Sequence, residues 1–181
     1  MTRIAAVTLA LLGTALWVSA HNADQEGSQP SGAIAVMHGL GNNHVHGTVT
    51  FTQDGDEIEV HIHLAGLTPG EHAFHIHEFG DCSSNDGMSA GGHFNPEHHQ
   101  HGHRTRGPRH VGDLGNIKAD DQGNVDKTFK DKVIKLSGPH SILGRSVIVH
   151  EKADEYTQPV GNAGGRVACG VVGIANPKTK K

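Results

Sequence analysis

Seventeen histidines lie in a chain of 181 residues, and imidazole is the side chain that most often ligates a metal near neutral pH. A lone histidine in a strand is more often a surface or core residue than a ligand, so spacing carries more than number. Two words stand out, His61-Ile62-His63 and His75-Ile76-His77. Alternation along a strand puts both imidazoles of either word on one face, able to grip a single ion. Periodicity does not choose between them.

The residues after the second word do. His75-Ile76-His77-Glu78-Phe79-Gly80-Asp81 is followed by Gly91-Gly92-His93-Phe94-Asn95-Pro96, by His101, by Arg109-His110-Val111-Gly112-Asp113 and by Val149-His150-Glu151-Lys152-Ala153-Asp154. These words, in this order and close to this spacing, resemble the copper/zinc superoxide dismutase family from about Ala33 to Asn176. The closing run Gly161-Asn162-Ala163-Gly164-Gly165-Arg166-Val167-Ala168-Cys169-Gly170 resembles the family's ending.

The resemblance implies a role for each matched residue. Copper would be held by His75, His77, His93 and His150, and zinc by His93, His101, His110 and Asp113, with His93 shared. Three histidines and an aspartate make a closed tetrahedral zinc set. All-imidazole ligation with room for a further ligand suits a copper that changes oxidation state. A shared imidazole must lose both ring protons, which two cations together make reasonable at neutral pH. The implied reaction turns two superoxide anions and two protons into dioxygen and hydrogen peroxide by Cu(II)/Cu(I) cycling, with His93 as proton donor. Arg166 would bind the anion, because a guanidinium stays charged and presents forked donors. Asp154 would accept from one histidine of each metal and hold both rings. His61 and His63 are read as surface residues. His98, His99 and His103 are spare for the zinc set and read as exposed; a sharper alternative has them collect scarce metal, together with His21.

The elements that must position these residues are short. Ala33 to Met37, His46 to Thr52, Ile58 to Leu64, Ala73 to Glu78, Gly115 to Lys118, Val125 to Phe129, Ser146 to His150 and Val167 to Ile174 read as strands. Ile58, Val60, Ile62 and Leu64 fall on one face and Glu59, His61 and His63 on the other, the pattern of a half-buried antiparallel sheet. Gln53 to Asp56 and Asp120 to Asn124 carry hairpin chemistry. Phe79 to Gly112 and Glu151 to Gly165 read as long functional loops. Such spacing suggests a β-sandwich or a small barrel. The resemblance favours an all-β, eight-stranded antiparallel Greek-key β-barrel, an immunoglobulin-like arrangement with two long functional loops.

Residues 1–20 combine Arg3, an uncharged apolar run from Ile4 to Val18 and small residues to Ala20, and read as a signal peptide. The run falls short of the roughly 20 residues a bilayer span needs. Residues 21–32 read as a flexible polar lead-in, 33–176 as one domain and 177–181 as a basic tail. Export to the periplasm or the exterior is expected, where Cys82 and Cys169 can persist as a disulfide. Cys82-Ser83-Ser84 looks more like bacterial exported members of the family. A formal charge of −4 argues against nucleic acid and anionic membranes as partners and makes any attraction of superoxide local, at Lys152 and Arg166. Phe79, Gly80, Leu143, Gly144 and Ile174 resemble positions that pair subunits in eukaryotic dimers of the family, whereas its bacterial members use other surfaces or none; the resemblance leaves a homodimer as one option. The competing readings are a non-catalytic exported copper/zinc buffer, against which the full copper set and Arg166 weigh, and a copper-delivery protein, which would lack copper ligands.

Overall fold

Ile58, Val60 and Ile62 are fully buried, and their neighbours His61 and His63 are exposed, as strand alternation demands. That strand is one of eight in a computed structural model that describes residues 29–177. The expected signal peptide, residues 21–28 of the lead-in and the tail beyond Pro177 lie outside the described residues. The strands are β1 (Gly32–Gly39), β2 (His46–Asp54), β3 (Glu57–Ala65), β4 (Gly70–His77), β5 (Asp113–Ala119), β6 (Val125–Asp131), β7 (Ser146–His150) and β8 (Arg166–Ile174), with one 3-10 turn at Met88–Ala90.

Every strand pairing is antiparallel, in the spatial order β5-β4-β7-β8-β1-β2-β3-β6. The two ends of that order, β5 and β6, are consecutive in sequence. The turn between them is held by Asp120, whose Oδ1 accepts from the backbone N–H groups of Gln122 and Asn124 at 2.9 and 2.8 Å. Lys127 Nζ reaches across the gap to the carbonyl of Asn116 at 2.9 Å. The sheet therefore curls into a nearly closed barrel, leaving little free edge. Phe51, Phe74, Ile58, Ile62 and Ile76 are among the fully buried residues that fill it.

The eight expected strands are all present, with two differences around them. β4 begins at Gly70, ahead of the expected Ala73, because Gly70, Glu71 and His72 pair with Ala119, Lys118 and Ile117. A third long connection, residues 132–145, joins the two foreseen. Ile134, Leu136 and Ile142 bury their side chains without joining the eight-stranded sheet. Its backbone closes on itself, Lys135 N–H to His140 O and Ile142 N–H to Lys135 O, both 3.0 Å. Strand-like composition here marks core contributed by a loop. Among the described residues no helix is long and apolar enough to cross a membrane.

Candidate metal centre

β4 departs from alternation, since Phe74, His75, Ile76 and His77 are all buried. Phe74 and Ile76 face the core, and loops cover the opposite face that carries the two histidines. The first loop is sewn to the strand by backbone bonds: Ile76 N–H to Gly112 O, Phe94 N–H to Ile76 O and Gly112 N–H to Phe94 O, each 2.9 Å. Only glycine fits at position 112, where a Cβ would collide with the Ile76 carbonyl. A bridge pairs His77 with His93. His150 ends β7, the neighbour of β4.

Two clusters result. Each of His75, His77, His93 and His150 can place one ring nitrogen within 4.8 Å of the others, and each of His93, His101, His110 and Asp113 can do the same with a nitrogen or carboxylate oxygen. His93 belongs to both. In the second cluster Asp113 Oδ1 lies 2.9, 3.0 and 3.1 Å from Nδ1 of His93, His101 and His110. A tetrahedral zinc with bonds near 2.0–2.1 Å has donor atoms about 3.3 Å apart, so this quartet needs only slight expansion. In the first, the Nε2 atoms of His77 and His150 are 3.4 Å apart.

Asp154 joins the clusters. Its Oδ2 lies 2.9 Å from His75 Nε2 and its Oδ1 2.9 Å from His101 Nε2, with all three side chains buried. With Nε2–H donating to Asp154, His75 turns Nδ1 into its cluster, and that atom has no hydrogen-bond partner. A buried lone pair without a donor costs roughly 1–3 kcal/mol, and a cation removes that cost. His101 Nδ1 likewise sits near Asp113 without the alignment of a hydrogen bond. The donor atoms therefore fit two metal ions.

Electrostatics separate the two halves. Burial, with the neighbouring charges of His93, Arg166 and His150, pushes His77 well below its usual range. Burial and then the nearby His75 push His150 down to about 3. His93 falls to about 4, burial outweighing its bond to Asp113. For His101 burial acts downward too, but Asp113 and Asp154 flanking the ring prevail and raise it to about 9. Burial would raise both carboxyls, yet the histidines around Asp113, and His101 and His75 beside Asp154, hold them well below the carboxylate range.

Arg166, at the start of β8, lines a cleft of about 460 Å³ with His77, His93 and His150. Its Nη1 and Nη2 donate to the carbonyls of Gly87 and Gly91 at 2.6 and 2.7 Å, which fix the guanidinium in place. Those carbonyls belong to the loop tied down by the disulfide between Cys82 and Cys169, whose Cα atoms are 5.7 Å apart across 87 residues of sequence. Lys152 is exposed. Of the spare histidines, His98 and His99 are exposed as expected, whereas His103 is half-buried against Tyr156, ring centroids 4.8 Å apart. His99 and His140 share the Glu97 carboxylate at 3.3 and 2.8 Å.

Several supporting residues escape a reading of the sequence. Asn116 holds the Asp154 backbone from both sides, accepting its N–H at 2.7 Å and donating to its carbonyl at 3.1 Å. Arg109, buried, donates through Nη1 to the carbonyls of His110, Val111 and Asp113 and through Nη2 to buried Asp131 at 2.6 Å. His72 places its two ring nitrogens 2.8 Å from the carbonyls of His150 and Thr68. Gly161 has φ of 80°, and a Cβ there would strike the Asp154 carboxylate. Arg109 and Gly161 stand in words with a detectable signal; Asn116 and His72 do not, because they work through backbone atoms.

Comparison with known proteins agrees with this geometry. The family model described as copper/zinc superoxide dismutase matches residues 45–172. An extracellular copper/zinc superoxide dismutase of Drosophila melanogaster is 43% identical over 96% of this chain and 99% of its own length. A superoxide dismutase of Schizosaccharomyces pombe is 46% identical over 79% of this chain and 97% of its own. The crystal structure of the clock protein EA4 superposes with a TM-score of 0.75 at 48% identity, covering 82% of this chain and 97% of that one. The chain belongs to the copper/zinc superoxide dismutase family, oxidoreductases that use copper and zinc to convert superoxide into dioxygen and hydrogen peroxide.

Proposed function

We propose that His75, His77, His93 and His150 hold the copper and His93, His101, His110 and Asp113 the zinc of this dismutase. The observation that carries the assignment is the convergence of two four-residue donor sets on one shared ring, His93. Copper bound there supplies one-electron oxidation and reduction at a single point. The chain's own residues do the rest. His93 faces the zinc set through Nδ1, 2.9 Å from Asp113, which leaves Nε2 on the opposite side of the ring to hold a proton for the departing peroxide. Arg166 binds the anion beside His77 and His150, its position set by Gly87 and Gly91. Asp154 keeps His75 and His101 in the tautomer that turns Nδ1 toward the metals.

Relatives named extracellular superoxide dismutase, in Drosophila melanogaster and Brugia pahangi, support an exported enzyme, in line with the reading of residues 1–20 as a signal peptide. A homodimer is supported by exposed Phe79, Val171 and Ile174, with Gly80 packed against Gly144 and Val171. Superoxide consumption by protein loaded with copper and zinc tests the site. The parent should bind one of each ion and consume superoxide, and Arg166→Ala should keep both ions and lose much of the rate. A parent that binds both without turnover would instead be a metal buffer.

A further inference from the structure

The barrel carries a second copy of the copper word, turned outward. On β4, His75-Ile76-His77 has ring centroids 6.5 Å apart, and both residues supply donor atoms to one cluster. On β3, His61-Ile62-His63 has the same residues, the same spacing and the same buried central isoleucine, with Ile62 and Ile76 both fully covered. The difference lies in what surrounds the histidines: loops over β4, solvent over β3.

The β3 pair is not alone on its face. In the β3–β6 register His63 lies opposite Asp126 and His61 opposite Thr128, and on the other flank they face Thr48 and Thr50 of β2. The Asp126 carboxylate spans the two rings, Oδ1 3.2 Å from His61 Nε2 and Oδ2 3.8 Å from His63 Nδ1. Exposed pairs of this kind contribute little by themselves. The carboxylate thus lies near each ring at about the 3.3 Å that separates neighbouring ligands on a tetrahedral cation, although the three donors do not converge within 4.8 Å as those of the buried clusters do. Lys127, next to Asp126, donates to the Asn116 carbonyl; Lys130, on the same face of β6 as Asp126, is engaged by Asp54, and Glu59 stands two residues from His61. Lys130 on that face is thus already paired.

The geometry points to a peripheral site for a borderline divalent cation, zinc or cupric ion, made by His61 and His63 of β3 and Asp126 of β6, with water completing the coordination. Two imidazoles and one carboxylate are the ligand types that select such ions over magnesium or calcium. Closing it requires the exposed side chains to rotate toward one another, which solvent on that face leaves room for. The site stands on a different face from the buried centre and does not depend on the roles assigned there.

Zinc titration of enzyme already loaded with copper and zinc, read by calorimetry and by metal content after dialysis, tests this. The parent should take up one more zinc than a variant carrying His61→Ala and His63→Ala, and Asp126→Asn should weaken that uptake. Superoxide consumption and thermal unfolding of the zinc-free-buffer samples should be the same for all three, because the altered side chains are exposed. Equal zinc uptake by parent and double variant would overturn the site and assign any surplus to other exposed histidines.

Discussion

In the proposed site Arg166 and Asp154 each work through a pair of contacts, Arg166 to Gly87 and Gly91 and Asp154 to His75 and His101. The guanidinium brings fixed positive charge to a cleft in a protein of formal charge −4, so its attraction is local rather than a property of the whole field. Arg166→Ala should lower kcat/KM by roughly tenfold or more while copper and zinc contents stay unchanged. Arg166→Lys should retain part of the rate, because it keeps charge and loses the fork that Gly87 and Gly91 hold. Asp154→Asn tests a different link. An amide cannot accept from both His75 and His101 through charged oxygens, so chelator competition should show zinc affinity lowered about 10- to 100-fold.

At the scale of elements, the centre is held by loops that are pinned at few points. Arg109 and Asp131 form a buried pair that ties the His110–Asp113 turn to the end of β6. Removing one partner strands the other, so Arg109→Ala should cost about 3–5 kcal/mol in chemical unfolding of the metal-free protein. The Cys82–Cys169 disulfide anchors the loop whose carbonyls hold Arg166. Cys82→Ser with Cys169→Ser should lower stability by roughly 2–5 kcal/mol and reduce activity beyond any loss of metal. The sequence makes the proposed ligands legible because all but His101 sit in words of distinctive composition, and His101 is singled out from its neighbouring histidines only by the family resemblance. β3 is equally legible, since its apolar residues alternate without interruption. Asn116 and His72 are not, because one asparagine or histidine in a strand says nothing of the carbonyl it will meet. The connection 132–145 hides for the opposite reason: Ile134, Leu136 and Ile142 have strand composition but serve the core from a loop. The choice between the two His-Ile-His words is also invisible to alternation, since it depends on which face the long loops cover.

For the whole molecule, metal loading and folding are one problem. Binding to the folded state alone raises stability, so unfolding temperature should rise with added zinc and copper and fall on chelation. The two halves should draw their protons from different residues. In the metal-free protein His150 and His93 lie near 3 and 4 and are neutral at pH 7, so His150 gives up no proton to copper, whereas His93 releases its one remaining ring proton when both ions share it. His101, raised to about 9, carries a proton at pH 7 that zinc must displace. Zinc affinity should therefore climb with pH toward about 9, and calorimetry in buffers of different ionisation enthalpy should report proton release on zinc binding. All of this rests on one ring serving two ions. Diffraction from crystals of the loaded enzyme, recorded at the copper and zinc absorption edges, addresses that directly. The account predicts two separate anomalous peaks with the His93 ring between them, Nδ1 toward zinc and Nε2 toward copper. A single peak, or a His93 ring that touches only one ion, would contradict it.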